Sequence, residues 1–257
     1  MNSSGSRDAL EDELFEDVMM MLARARKHQE EFDACFTGRA GPPPWSVEDV
    51  AIEEGFSCTL CINCSRLKEL KPIAADLCNN LVHALDQLVG AAARSNGHDH
   101  SRDVYFPWIL EDETFERALR RLSKYIGEAA AEAILRARAA CAPFLAAAHL
   151  AKKISNSGKH WEFIPSRASV PAVAINRPGG SPQIFDIPGD ALEECFYYEF
   201  YRGPERMTEH PIVVVVGLSF EGLGDPLVST DTVFSSAFRY VSEVIEAVRN
   251  SRAICGA

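Results

Sequence analysis

Between residues 8 and 36, apolar side chains return at three- and four-residue steps: Leu10, Leu14, Val18, Met21 or Leu22, Ala25, then His28 or Gln29. That period predicts one face of a long helix. Acidic first turns and the later Arg24, Arg26 and Lys27 suit its dipole. Met19, Met20 and Met21 read as gap-fillers in a helix interface. Gly41-Pro42-Pro43-Pro44 is a stiff connector that ends helical structure. From Val47 to Ser65 the pattern changes to alternation, clearest at 57–65 (SCTLCINCS), and predicts a short β segment near 47–65.

Pro72 marks the expected entry to a second helix, over Asp76–Val89. There Leu77, Leu81, Ala84, Leu85 and Leu88 form an apolar arc. Asn79, Asn80, His83, Asp86 and Gln87 gather on the opposite side. Residues 94–101 read as a polar loop, and Phe106-Pro107-Trp108 leads to a helix that begins at Asp112. Phe115, Leu119, Leu122 and Ile126 make its apolar stripe, Arg117, Arg121 and Lys124 a basic one. An alanine-rich helix follows, broken near Pro143 and continuing to about Ile154.

Beyond Gly158 the texture is of short β-prone runs between Pro and Gly: Trp161–Ile164, Val170–Ile175, Gln183–Ile187, Cys195–Tyr201 and Ile212–Phe220. A last helix runs from about Thr230 to Asn250, with Val233, Ala237, Val241, Val244 and Val248 inward and Ser229 or Thr230 as cap. The expected class is therefore α+β. A mainly helical domain covers 1–160, with its β segment near 47–65. A β-rich region covers 161–257, a small antiparallel sheet ending in a helix and packed on the first domain.

Composition narrows the function classes. The 257 residues carry a net charge of −11, distributed as −8 over residues 1–60, +3 over 61–160 and −6 over 161–257. An acidic surface repels phosphate backbones, so RNA contact is expected only through the basic middle third. No apolar run approaches the ~20 residues of a membrane span, and the polar, acidic start has no signal-peptide pattern. The expected location is the cytoplasm, with the eight cysteines as free thiols in a reducing compartment and no cofactor.

Four candidate sites carry chemistry. Cys58-x2-Cys61-x2-Cys64 offers thiolates to a metal, but no second half follows at finger-like spacing. Strand alternation puts Cys58 and Cys64 with Leu60 and Ile62 on one face and Cys61 on the other, and a strand cannot wrap three thiolates around one ion. Core cysteines are the favoured reading. His98-Asp99-His100 lies in the polar loop, where a solvated loop competes with a divalent site. On the polar helix face, Asn80, His83 and Asp86 succeed one another at three-residue steps, so a carboxylate can orient an imidazole for acid/base work. The plain alternative is the wet side of an amphipathic helix. Lys159 and His160 stand at the end of the alanine-rich helix, where cations also serve the dipole.

The run from Asn80 to Leu88 (NLVHALDQL) resembles the segment N-L-R-S-A-L-D-H-L of a group of uncharacterised bacterial proteins. In that group an F-P block, an acidic stretch and a D-K-H-R-like helix end follow. Here Phe106-Pro107, Glu111-Asp112-Glu113 and residues 156–160 (NSGKH) come in the same order, over roughly residues 20–165. An Arg followed five residues later by His on a bundle helix also resembles, more loosely, the motif of HEPN-type ribonucleases. Val82 stands here in place of that Arg and Gln87 in place of that His; Gly158 and Trp161 replace the acid and the arginine around Lys159-His160. The resemblance implies a HEPN-like helical-bundle binding or regulatory protein without catalysis; its partner is left open between another protein and a second copy. Its alternatives are a metal-independent ribonuclease or hydrolase using His83 and His160, and a metal-binding protein through the cysteines.

Overall fold

The computed structural model describes residues 4–98, 104–159, 166–178, 180–187, 197–220 and 229–255. In chain order the elements are α1 (Ser4–Phe36), β1 (Trp45–Ile52), β2 (Gly55–Ile62), α2 (Cys64–Ser95), α3 (Asp112–Ile126), α4 (Glu128–Ala140), α5 (Leu145–Lys159), β3 (Ser166–Ile175), β4 (Gln183–Asp186), β5 (Tyr197–Gly203), β6 (Ile212–Phe220) and α6 (Thr230–Cys255). Short 3-10 turns occupy Ala142–Phe144 and Met207–Glu209. The protein is α+β, with two small antiparallel three-stranded sheets. No single helix among the described residues is long and apolar enough to cross a membrane.

The chain divides into two compact units, each assembled from separated stretches. One comprises Met1–Gln29, Ala74–Phe163 and Thr232–Ala257; the other comprises Glu30–Ile73 and Ile164–Asp231. The first is helical, and its core follows the periodicities closely. Phe115, Leu119, Leu122 and Ile126 of α3 are buried, as are Leu77, Leu81, Leu85 and Leu88 of α2 and all five inward residues of α6. Burying one such side chain contributes about 1.5–3 kcal/mol. Val82 is fully buried on the apolar side of α2. Glu111 caps α3 by accepting the Thr114 N–H at 3.0 Å. Gly127 joins α3 to α4 at φ 85°, and a Cβ there would meet the Asn96 amide at 3.4 Å. The alanine-rich run breaks at Ala142–Phe144, where Pro143 removes a backbone donor.

Two local expectations are corrected here. Pro72 does not open a helix but lies inside α2, which begins at Cys64. Leu67 and Leu70 before it and Ala74 and Leu77 after it are all buried, so packing on both sides outweighs the one lost backbone hydrogen bond. Cys64 is accordingly a helix residue and does not extend the strand face of Cys58.

The second unit is built on the hairpin β1–β2, which pairs from Trp45↔Ile62 to Ile52↔Gly55. Alternation buries Cys58, Leu60 and Ile62 and leaves Cys61 half-buried. β5, from the last third of the chain, completes this sheet with pairs such as Leu60↔Tyr198, while β3, β4 and β6 form the other. Phe185 of β4 packs against Phe200 of β5 at 5.2 Å between ring centroids. Asp49 on β1 accepts the backbone N–H groups of Met207 (3.2 Å) and Thr208 (2.8 Å), which anchors the second 3-10 turn. Burial would raise the Asp49 pKa, but its hydrogen bonds from Thr208, Cys58 and Met207 prevail and hold it below the usual carboxylate value. The run Trp161–Ile164 lies outside the described residues.

Candidate functional site

The polar face of α2 bonds to neighbouring segments. Asn79 Oδ1 accepts the Ser155 hydroxyl of α5 at 2.6 Å, and Ser155 is fully buried. Two turns later, on the same face, Asp86 Oδ1 accepts the Phe106 backbone N–H at 3.0 Å. Asn80 is 9% exposed and turns back on its own helix, donating to the Asp76 carbonyl at 2.7 Å. His83 is exposed between the two braces, and Gln87 is half-buried.

The segment held by Asp86 runs without regular structure from Val104 to Leu110 and forms a strap across the helical unit. Its far end is gripped by Arg138 of α4, only 5% exposed. Arg138 Nη1 donates to the Ile109 carbonyl (2.8 Å) and Nη2 to the Leu110 carbonyl (2.7 Å). Nε and Nη2 both reach Asp112 Oδ1, at 3.2 and 2.7 Å. The guanidinium carbon also lies 4.1 Å from the centre of the Phe115 ring. Four of the five N–H donors are thereby satisfied, which makes Arg138 a fixed clasp.

Beneath the strap lies an aromatic cluster. Trp108 packs edge-on against His149 of α5 (5.7 Å) and Tyr240 of α6 (5.8 Å), and Phe106 against Trp108 (5.6 Å). His149 Nδ1 is 3.0 Å from the Leu145 carbonyl, the geometry of a neutral ring donating from Nδ1. The Trp108 indole N–H, His149 Nε2 and the Tyr240 hydroxyl find no hydrogen-bond partner among the described residues. Burial, reinforced by the Arg138 charge, lowers the His149 pKa against the weaker pull of the Leu145 carbonyl. Burial raises that of Tyr240; Arg138 comes near enough to favour the phenolate but without hydrogen-bond geometry, and burial prevails.

Each end of the strap lines a cleft. Val104 and Tyr105 border one of about 280 Å³ with Asp86, Gln87, Gly90, Arg94 and His98. Leu110 and Asp112 border another of about 490 Å³, with Glu116, Leu135, Arg138 and Ala139 among its lining.

Of the residues singled out from sequence, Asp86, Gln87 and His98 thus share one cleft, and Asn80 is turned away from it. Lys159 is the last residue of α5; its side chain, with His160, Asp99 and His100, lies outside the described residues. Arg117, Arg121 and Lys124 are exposed along α3. Arg138 of the alanine-rich run is buried, because the strap carbonyls and Asp112 compensate its charge. Cys58 is buried and its thiol pKa is pushed up by burial, then by Asp49; Cys61 is raised by burial and Glu48. Such thiols resist becoming metal-binding thiolates. Among the described residues, no group of three or more His, Cys, Asp or Glu side chains is placed to hold a metal ion. Sequence reading missed His149, Tyr240 and the grip of Arg138. The available signal was a lone histidine, His149, inside the apolar alanine-rich run 144–151.

Comparison with known proteins adds no relative: no protein-family profile, curated protein or solved structure matches the chain.

Proposed function

We propose that the protein is a non-catalytic binding or regulatory module, HEPN-like in broad character, acting through its helical unit. The observation that carries this reading is the use made of the α2 polar face. Asn79, Asn80 and Asp86 hydrogen-bond the Ser155 hydroxyl, the Asp76 carbonyl and the Phe106 amide, so one polar atom of each serves the fold. A general base must instead reach a substrate proton. The clefts at both ends of the strap supply concave, accessible surface for recognition. Val82, buried where the resembling ribonucleases carry arginine, agrees with a module that lacks cleavage. Free thiols at Cys35, Cys58, Cys61, Cys78 and Cys141 suit a reducing, cytoplasmic setting.

The test is a ribonuclease assay on purified protein with mixed-sequence single-stranded RNA. The expected result is no cleavage above that of a heat-unfolded sample. Cleavage by the wild type that disappears in His83→Ala would overturn the reading.

A further inference from the structure

The three polar atoms buried beneath the strap, the Trp108 indole N–H, His149 Nε2 and the Tyr240 hydroxyl, are without a hydrogen-bond partner among the described residues. They come from separate segments: the strap, α5 and α6. Tyr240 is fully buried and His149 is 9% exposed. Their rings form one group, with centroids 5.7 Å apart for Trp108 and His149, 5.8 Å for Trp108 and Tyr240 and 6.4 Å for His149 and Tyr240. A single buried polar atom left unpaired weighs heavily on a marginally stable fold, and here three such atoms share one cluster. Native proteins pair such atoms with protein or with ordered water.

The hydrogen-bonding capacities of the three atoms select the occupant. Trp108 Nε1 can only donate. His149 Nδ1–H is committed to the Leu145 carbonyl at 3.0 Å, so Nε2 of the neutral ring can only accept. The Tyr240 hydroxyl can do either. A common partner must therefore accept from Trp108 while it donates to His149. An anion such as chloride cannot donate, and the Nε2 lone pair repels it. A cation cannot accept, and the Arg138 charge, near enough to act on the Tyr240 hydroxyl, repels it. Ring spacings of 5.7–6.4 Å are those of aromatic side chains in contact, so an occupant of more than one heavy atom would push the rings apart. Water meets each condition, and three polar partners is the usual number for a buried water.

We infer that Trp108, His149 and Tyr240 bind one internal water molecule, which ties the strap to α5 and α6. The water accepts the Trp108 N–H, donates to His149 Nε2 and shares its third bond with the Tyr240 hydroxyl. It is a further tie on the strap, between Asp86 at one end and Arg138 at the other. The inference is independent of the binding-module reading.

A crystal structure of the full chain, at a resolution that shows ordered water, tests this directly. The expected result is one solvent peak at about 2.6–3.2 Å from Trp108 Nε1, His149 Nε2 and the Tyr240 oxygen. No peak, a peak that reaches fewer than all three atoms, or a Tyr240 hydroxyl bonded directly to His149 Nε2 would overturn the inference. So would a chloride at that position, identified by its anomalous scattering, because it would make this an anion site. Tyr240→Phe adds a reading in solution by urea unfolding, and it keeps the buried ring. Loss of a hydroxyl bonded to water predicts a lower unfolding midpoint in the variant. Loss of an unpartnered hydroxyl predicts an equal or higher midpoint, and that result would contradict the bridge.

Discussion

The Ser155 hydroxyl of α5 lies 2.6 Å from the side-chain oxygen of Asn79 on α2, with Ser155 fully buried. A buried hydroxyl without an acceptor is costly, so the pair is a structural coupling between two helices. A double-mutant cycle with Asn79→Ala and Ser155→Ala should give a coupling of about 0.5–3 kcal/mol in urea unfolding. Simple additivity of the two losses would refute the coupling.

Arg138 presents a different balance. Its carboxylate partner, Asp112, is mostly in water, so removing the cation strands no buried charge. The loss falls on the strap carbonyls and the packing over Phe115. Arg138→Met is expected to cost about 2–3 kcal/mol, and Arg138→Lys nearly as much, since an ammonium cannot span both carbonyls and Asp112. Chemical denaturation measures both. A lysine variant as stable as the wild type would show that charge, not the planar fork, is what matters.

His149 makes the helical unit sensitive to acid. Its folded pKa lies below the unfolded value of 6.5, so at lower pH the unfolded chain takes up a proton that the folded chain refuses. Its contribution to stability is complete above about pH 6.5 and declines as pH falls toward the lowered folded value. His149→Gln should show a shallower fall in melting temperature between about pH 6.5 and 5 than the wild type. Parallel curves for the two proteins would exclude His149 as the source.

Thiol labelling separates the cysteines by burial. Cys58 and Cys78 are buried, with thiols pushed upward in pKa, while Cys35 is half-buried. A maleimide reagent with peptide mapping should modify Cys35 well before Cys58 or Cys78, which react only on unfolding. Prompt labelling of Cys58 in the folded protein would contradict the packing of the β2 face.

Local pattern carried much of the architecture. The stripe from Phe115 to Ile126 and the inward valines of α6 were legible because helical period and burial coincide there. The polar face of α2 was equally visible, but its role was not, for its partners at Ser155 and Phe106 lie 76 and 20 residues away. The same non-locality hid the pairing of β5 with β2, since alternation reveals a strand without naming its neighbour. Pro72 misled because packing on both sides carries the helix through a residue that usually ends one. Arg138 looked like surface charge because its compensating carbonyls belong to a strap with no regular pattern of its own.

Asp86 braces the strap through the Phe106 N–H, and the comparison of Asp86→Ala with Asp86→Asn by equilibrium urea unfolding tests this role most directly. Asparagine keeps a side-chain oxygen that can accept the Phe106 N–H; alanine does not. Asp86→Ala should lose about 1–3 kcal/mol, and Asp86→Asn should retain at least about half of that. Wild-type stability in Asp86→Ala would contradict the brace and return the polar face of α2 to the search for chemistry.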